Sequence, residues 1–474
     1  APEVFSNIFS AQTDGLSLDI LDSTDPGSVL AYESVLDLDK TLFVVSTKSG
    51  GTAETLSFFK YFYNRELEAH GGDKEGAGKH FVGITDPGSK LEGISERYHF
   101  RSLFLNDPNI GGRYSVLSFF GLVPAALIGI DVKALLDSAD EMAANCAADN
   151  CPHDSDNRGG RLGAAMGALA NEGRDKITFI TSPALANYGD WVEQLIAEST
   201  GKSGEGIVPV VGEAIGTPDV YGDDRFFAYL RLAGDETHDD AVQNLKDAGH
   251  PVVTLNLADV YDVGGQFFLW EMATAVSGYL LGIQPFDQPN VEAAKNLARA
   301  KIDEYMETGK LEQLPVAIDD NGIQVIGDVD ASTAGDALNA FLADAGEGTY
   351  ISLHAYIQPT ASATEALQAL QTKLRDTTKF ATTLGYGPRF LHSTGQLHKG
   401  DGGDGLFIQI MADMPQDADI PDEAGEDASG MSFGTLKEAQ ALGDRAALLE
   451  VDRAVIRFHL SDINAGLQTL TDSL

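Results

Sequence analysis

The sequence has little positive charge and almost no cysteine. It sets 32 Lys and Arg against 72 Asp and Glu, a formal net charge of −40 over 474 residues. A surface of that sign repels phosphate backbones and anionic lipid, so neither nucleic acid nor a membrane is an expected partner. It implies an acidic cytoplasmic enzyme, and a saline setting, where salt screens self-repulsion, would suit it. The two cysteines, Cys146 and Cys151, exclude a disulfide scaffold. With only His153 beside them they make a poor metal-ligand pattern, and the stretch predicts a linker with free thiols. No basic region followed by an apolar core opens the chain, so no signal peptide is predicted. No GxxxxGK[ST] phosphate loop is present. Gly264–Ile283 is the one run apolar enough to suggest a membrane span. Glu271, Thr274, Ser277 and Gly278 within it predict a helix buried in protein instead.

What is present is a repeated alternation of strand and helix patterns, in a length that suggests roughly two to four domains. Leu42–Val45, His80–Ile84 and His99–Leu105 read as strands of a first domain, residues 1–145. Ser115–Ile130 reads as an apolar helix, bent or broken near Pro124. Asn145–Gly160 reads as a polar connection. Ile177–Thr181, Ile207–Val211, Phe226–Leu232 and Val252–Leu257 are strands of a second domain, 161–310, closed by two long helices. Gly322–Gly327, Tyr350–Tyr356, Leu406–Met411 and Ala454–Leu460 are strands of a third α/β module, 315–474. Its acidic insertion, Asp413–Gly430, predicts an exposed loop. Strands separated by helices imply parallel βαβ units.

The chain is organised around Leu42–Leu56, LFVVSTKSGGTAETL. An apolar strand runs into a hydroxyl-rich glycine turn and then a helix, the order in which open α/β sheets build phosphate sites. Gly50 and Gly51 let backbone approach an anion; Thr47, Ser49 and Thr52 offer hydroxyls, and Lys48 a charge. Three other stretches carry comparable chemistry. Asn109–Ser115, NIGGRYS, places a double glycine and Arg113 before a helix. Trp191–Lys202, WVEQLIAESTGK, puts Gln194 and Glu198 four apart on one helix face, with Gly201 as a stop. Gly282–Lys295, GIQPFDQPNVEAAK, ends with Asn290 as a plausible cap of a helix bearing Lys295.

Together these four segments resemble glucose-6-phosphate isomerases, enzymes of the sugar isomerase fold. The resemblance implies two parallel-sheet, doubly wound, flavodoxin-like α/β domains, here followed by a smaller C-terminal α/β module. It implies that Thr47, Lys48, Ser49, Gly51 and Thr52 bind the sugar phosphate, with Gln194 and Gln288 as further substrate contacts. It implies Glu198 as the base that shuttles a proton between C2 and C1, through a cis-enediol. Arg113 would stabilise the enediolate oxygen, and Lys295 would assist ring opening. No metal or organic cofactor is implied, the partner is a small sugar phosphate, and family members are often dimers. The pathway setting is glycolysis and gluconeogenesis.

The chain departs from the family pattern in places. No histidine falls in register for ring opening; Arg225, within Gly222–Gly234, is near the expected position, and His238 and His250 lie nearby. Pro2–Phe9 predicts a helix that follows a strand and glycine-serine loop in the family, which implies an N-terminally truncated isomerase. Gly387–Gly400, GPRFLHSTGQLHKG, followed by FIQI, resembles the C-terminal region of bifunctional transaldolase/glucose-6-phosphate isomerases. His392, His398 and Lys399 would line a polar site there. No transaldolase activity is expected, since no room remains for a barrel of roughly 250 residues. The competing readings are another sugar-phosphate isomerase on the same fold, for mannose or amino sugars, and a non-catalytic sugar-phosphate-binding regulator. The Glu198–Lys295 pair favours catalysis.

Overall fold

The computed structural model describes residues 1–9, 15–147 and 156–474. Cys151 and His153, and with them half of the predicted linker, lie outside the described residues; Cys146 is a buried free thiol. The chain forms two compact units. The first comprises Ala1–Val132, Ile302–Leu311 and Met414–Ala439, the second Lys133–Lys301, Glu312–Asp413 and Gln440–Leu474.

In the first unit, β1 (Phe43–Ser46), β2 (Phe81–Thr85) and β3 (Ser102–Leu105) pair in parallel in that order. Every residue of β2 is buried, as befits the centre of a parallel sheet. An aromatic cluster backs the sheet: Phe59 meets Phe81 and Tyr98 edge-on at 5.5 and 5.3 Å. The acidic insertion is not simply an exposed loop. Asp419–Ile420 and Met431–Ser432 form a two-strand antiparallel ribbon, and Ala418 and Ile420 are buried with Phe62 and Phe433. Apolar residues between the acids, too few to register as a pattern, hold it down. Pro124 does not break its helix, which runs Phe119–Leu127 with the proline inside.

The second unit holds two sheets. β4 (Lys176–Thr181), β5 (Val208–Val210), β6 (Arg225–Leu232) and β7 (Val252–Leu257) form an all-parallel sheet in the order β5-β4-β6-β7. The other has β8 (Ile318–Asp320), β9 (Ile323–Ile326), β10 (Tyr350–Tyr356), β11 (Ala381–Tyr386), β12 (Gly405–Ala412) and Ala454–Leu460. Its order is β11-β10-β12, then Ala454–Leu460, then β9-β8, and the last two strands run antiparallel to their neighbours. Among the described residues no helix is long and apolar enough to cross a membrane. The run suspected above is the helix Val263–Leu280, whose Trp270, Ala273 and Thr274 are fully buried.

That helix packs closely on Arg158–Asn171, a helix whose first turn overlaps the expected connection Asn145–Gly160. Gly159, Gly163 and Gly167 lie one turn apart on the contact face. A Cβ at Gly163 would sit 2.3 Å from the Ala273 carbonyl oxygen, so only glycine admits this approach. Gly163→Ala is therefore expected to cost about 1–3 kcal/mol, as overpacked cores do. Thermal unfolding checks this; an unchanged melting temperature would contradict the close packing.

Candidate active site

The turn after β1 is built as the sequence pattern requires. Gly50 has φ +67°, and a Cβ there would lie 2.3 Å from the Leu91 amide nitrogen, so the turn needs glycine. Gly51 is different: a Cβ there would meet only Ser49 Oγ, at 3.7 Å, so its backbone faces open space. The helix Ala53–Ala69 starts at Thr52 with no side-chain cap. Thr52 Oγ1 instead lies 2.9 Å from Thr47 Oγ1, which leaves the first-turn N–H groups uncapped by this residue. Ser49 Oγ accepts from the Gly51 amide at 3.3 Å.

Lys48 serves differently from a free phosphate-binding charge. Its Nζ donates to the Ile110 carbonyl at 2.6 Å and pairs with Asp86 at 2.7 Å. The lysine thus ties the first glycine turn to the NIGGRYS loop, where Gly112–Tyr114 is one turn of 3-10 helix. Arg113 is buried (3% exposed), with its guanidinium 5.3 Å from the Tyr114 ring centre.

In the second unit, Gln194 Nε2 donates to Glu198 Oε2 at 3.1 Å along the helix Tyr188–Thr200. The amide aims the carboxylate, as the four-residue spacing predicts. The end of this helix is fixed by two residues that sequence reasoning did not single out. Lys202, 3% exposed, donates to the Gln284 carbonyl at 2.7 Å and pairs with Asp287 at 2.9 Å. Gln396, fully buried, donates to the Gly201 carbonyl at 2.8 Å and to Asn290 Oδ1 at 2.7 Å, while its Oε1 accepts from the Asn290 amide at 2.8 Å. The ESTGK and FDQPN segments are thereby clasped together by the GPRFLHSTGQLHKG stretch. Asn290, read from sequence as a cap, spends its side chain on this clasp. Gln288 is exposed in the turn, and Lys295 pairs with Glu292 at 3.3 Å, one turn back on Val291–Thr308.

Of the residues near the expected ring-opening position, Arg225 and His250 are taken up by packing contacts, and His238 is partly buried beside the helix Asp239–Asp247. Arg225 is fully buried and paired with Glu213 at 3.1 Å. His250 contacts the Pro218 carbonyl oxygen at 3.2 Å and meets Phe227 edge-on. His398 and Lys399 belong to a sealed polar cluster rather than an open site. Lys399 Nζ lies 2.8 Å from Asp444, His354 Nδ1 3.1 Å from the same carboxylate, and His354 Nε2 3.1 Å from Ser352 Oγ. Burial would raise the Asp444 carboxyl, but Lys399 and His354 outweigh it and hold it below the usual range. The order Ser–His–Asp is that of a hydrolytic triad, yet none of the three exceeds 1% exposure. Closed to substrate, it ties β10 to the helix Phe433–Glu450.

Glu193, beside Gln194, is buried in the same unit. Burial lifts its carboxyl from 4.5 to about 7, against the opposing pull of Arg389 at 3.4 Å. The folded state therefore holds this proton more tightly than the unfolded chain. The contribution is full below about pH 4.5 and is lost as pH rises through about 7. Glu193→Gln should raise the melting temperature around pH 8 and change it little near pH 4.5; equal shifts at both would contradict this.

The family model for phosphoglucose isomerase matches residues 2–205. A glucose-6-phosphate isomerase of Rubrobacter xylanophilus is 32% identical over 330 residues, 61% of this chain and 74% of the relative. One of Lactobacillus helveticus is 31% identical over 303 residues, 55% and 66% of the two chains. A hypothetical protein of Thermus thermophilus superposes with TM-score 0.55 at 27% identity, over 64% of this chain and 80% of that one. A glucose-6-phosphate isomerase of Chlamydia trachomatis gives 0.52 at 19%, over 65% and 68%, a likeness of fold.

Proposed function

Because this chain belongs to the glucose-6-phosphate isomerase family, we propose that it interconverts glucose 6-phosphate and fructose 6-phosphate with Glu198 as the proton-transfer base. The observation that carries the reading is the aimed Glu198 carboxylate, bonded by Gln194 at 3.1 Å on a helix end locked by Lys202 and Gln396. A carboxylate held in one orientation takes the C2 proton of the open-chain aldose and returns it to C1, passing through a cis-enediol. Arg113 stabilises the enediolate oxygen, since a guanidinium stays charged and presents a rigid fork of donors. Lys295 assists ring opening.

The phosphate rests on Ser49, Gly51 and Thr52 with Thr47 behind, through hydroxyls and the uncapped helix start. With its charge taken up by Asp86, Lys48 acts mainly by holding the two glycine loops together. The acidic composition suits a cytoplasmic enzyme with a small-molecule substrate.

The test is a coupled assay of fructose 6-phosphate formation from glucose 6-phosphate, with mannose 6-phosphate and glucosamine 6-phosphate as comparison substrates. Turnover of the glucose compound well above the other two is expected. Binding without turnover would make the chain a sugar-phosphate sensor. In the same assay Thr52→Ala should weaken sugar-phosphate binding by roughly 1.5–3 kcal/mol, the worth of a charge-assisted hydrogen bond. Unchanged affinity would leave the loop a structural turn.

A further inference from the structure

We propose that Glu66, His70 and His80 bind one divalent transition-metal ion of the zinc class, as a structural clip remote from the phosphate loop. Glu66 and His70 lie four residues apart at the end of the helix Ala53–Ala69, and His80 directly precedes β2. One potential ligand atom from each lies within 4.8 Å of the others. His70 Nδ1 is 3.3 Å from Glu66 Oε2, and His80 Nδ1 is 3.7 Å from Oε1. Donors held about 2.1 Å from a tetrahedral zinc stand about 3.4 Å apart, so little movement is needed to close the site.

The carboxylate supplies a separate observation. The Glu66 side chain is fully buried, and neither of its oxygens makes a hydrogen bond. A buried carboxylate without hydrogen bonds is costly, and a cation between it and two imidazoles removes the cost. The histidine Nδ1 atoms now face the Glu66 and Thr41 carbonyl oxygens at 2.9 Å each; metal binding displaces the protons they share there. The two histidine side chains are 23% and 16% exposed, which gives an ion its entry and leaves solvent to fill a fourth position. Two imidazoles and one carboxylate suit zinc, cobalt or nickel better than magnesium or calcium.

The helix whose first turn meets the phosphate loop thus ends at this cluster, about 25 Å away along its axis. The ion takes no part in the isomerisation and instead fastens the helix end to the start of β2.

The experiment titrates the whole chain with Co²⁺ in excess Mg²⁺, reading the visible absorption of tetrahedral cobalt and the bound metal by elemental analysis. One equivalent is expected, displaced by Zn²⁺, with a Zn²⁺-dependent rise in melting temperature. Glu66→Gln, uncharged and of equal size, and His70→Ala should each lose the absorption and the thermal shift. Their affinities should fall by more than the roughly 10–100-fold that losing an outer-shell partner costs. Should His70→Ala fail to fold, Glu66→Gln still decides the matter. No saturable cobalt signal in the parent, or an unchanged one in Glu66→Gln, would overturn the site.

Discussion

Glu198→Gln is expected to lower kcat by about 10² or more while sugar-phosphate binding survives. Glutamine keeps the length of the side chain and an oxygen that can still accept from Gln194 Nε2, so the helix end and its clasp stay in place. What it loses is the capacity to take a proton. The loss should therefore fall on the chemical step, visible as reduced kcat with little change in the dissociation constant of an unreactive sugar phosphate. A kcat within a few-fold of the parent would remove Glu198 from the mechanism.

Arg113→Lys should cost about 10²–10³ in kcat, the usual price of removing an oxyanion donor from a preorganised site. The ammonium keeps the charge but not the planar fork of donors that the buried guanidinium presents. KM should change less than kcat, because the interaction strengthens as negative charge develops on the enediolate. A thermal melt run in parallel separates this from loss of folding. If KM rose with kcat intact, Arg113 would be a binding residue only.

The parts of the site that were legible in the sequence are those written locally. Strand, glycine turn and helix succeed one another within Leu42–Leu56, and the Gln194–Glu198 contact follows from helical spacing. The parts that were not legible depend on distant partners. Gln396 is separated from Gly201 by 195 positions and from Asn290 by 106, and Lys202 from Asp287 by 85. No periodicity marks such contacts; the one pointer to the GPRFLHSTGQLHKG stretch is its resemblance to the C-terminal region of the bifunctional isomerases. Lys48 illustrates the converse, since its place in the motif was plain but its pairing with Asp86 was not.

Fold errors have similar causes. The expected connection Asn145–Gly160 ends inside the helix Arg158–Asn171, whose glycines form its contact face because their missing side chains admit the neighbouring helix. The edge strand β8, Ile318–Asp320, carries too few apolar residues to declare itself, whereas its neighbour β9 falls within the expected strand Gly322–Gly327. Acidic residues in Asp413–Gly430 masked the few apolar ones that bury there.

The central claim, proton transfer through an enediol by a carboxylate base, is tested most directly by incubating glucose 6-phosphate with the chain in D₂O and following the sugars by proton NMR. A base that exchanges with solvent during the lifetime of the enediol predicts deuterium at C1 of the fructose 6-phosphate formed, and none in the Glu198→Gln variant. Deuterium entering C1 at the parent rate in the variant would contradict the account.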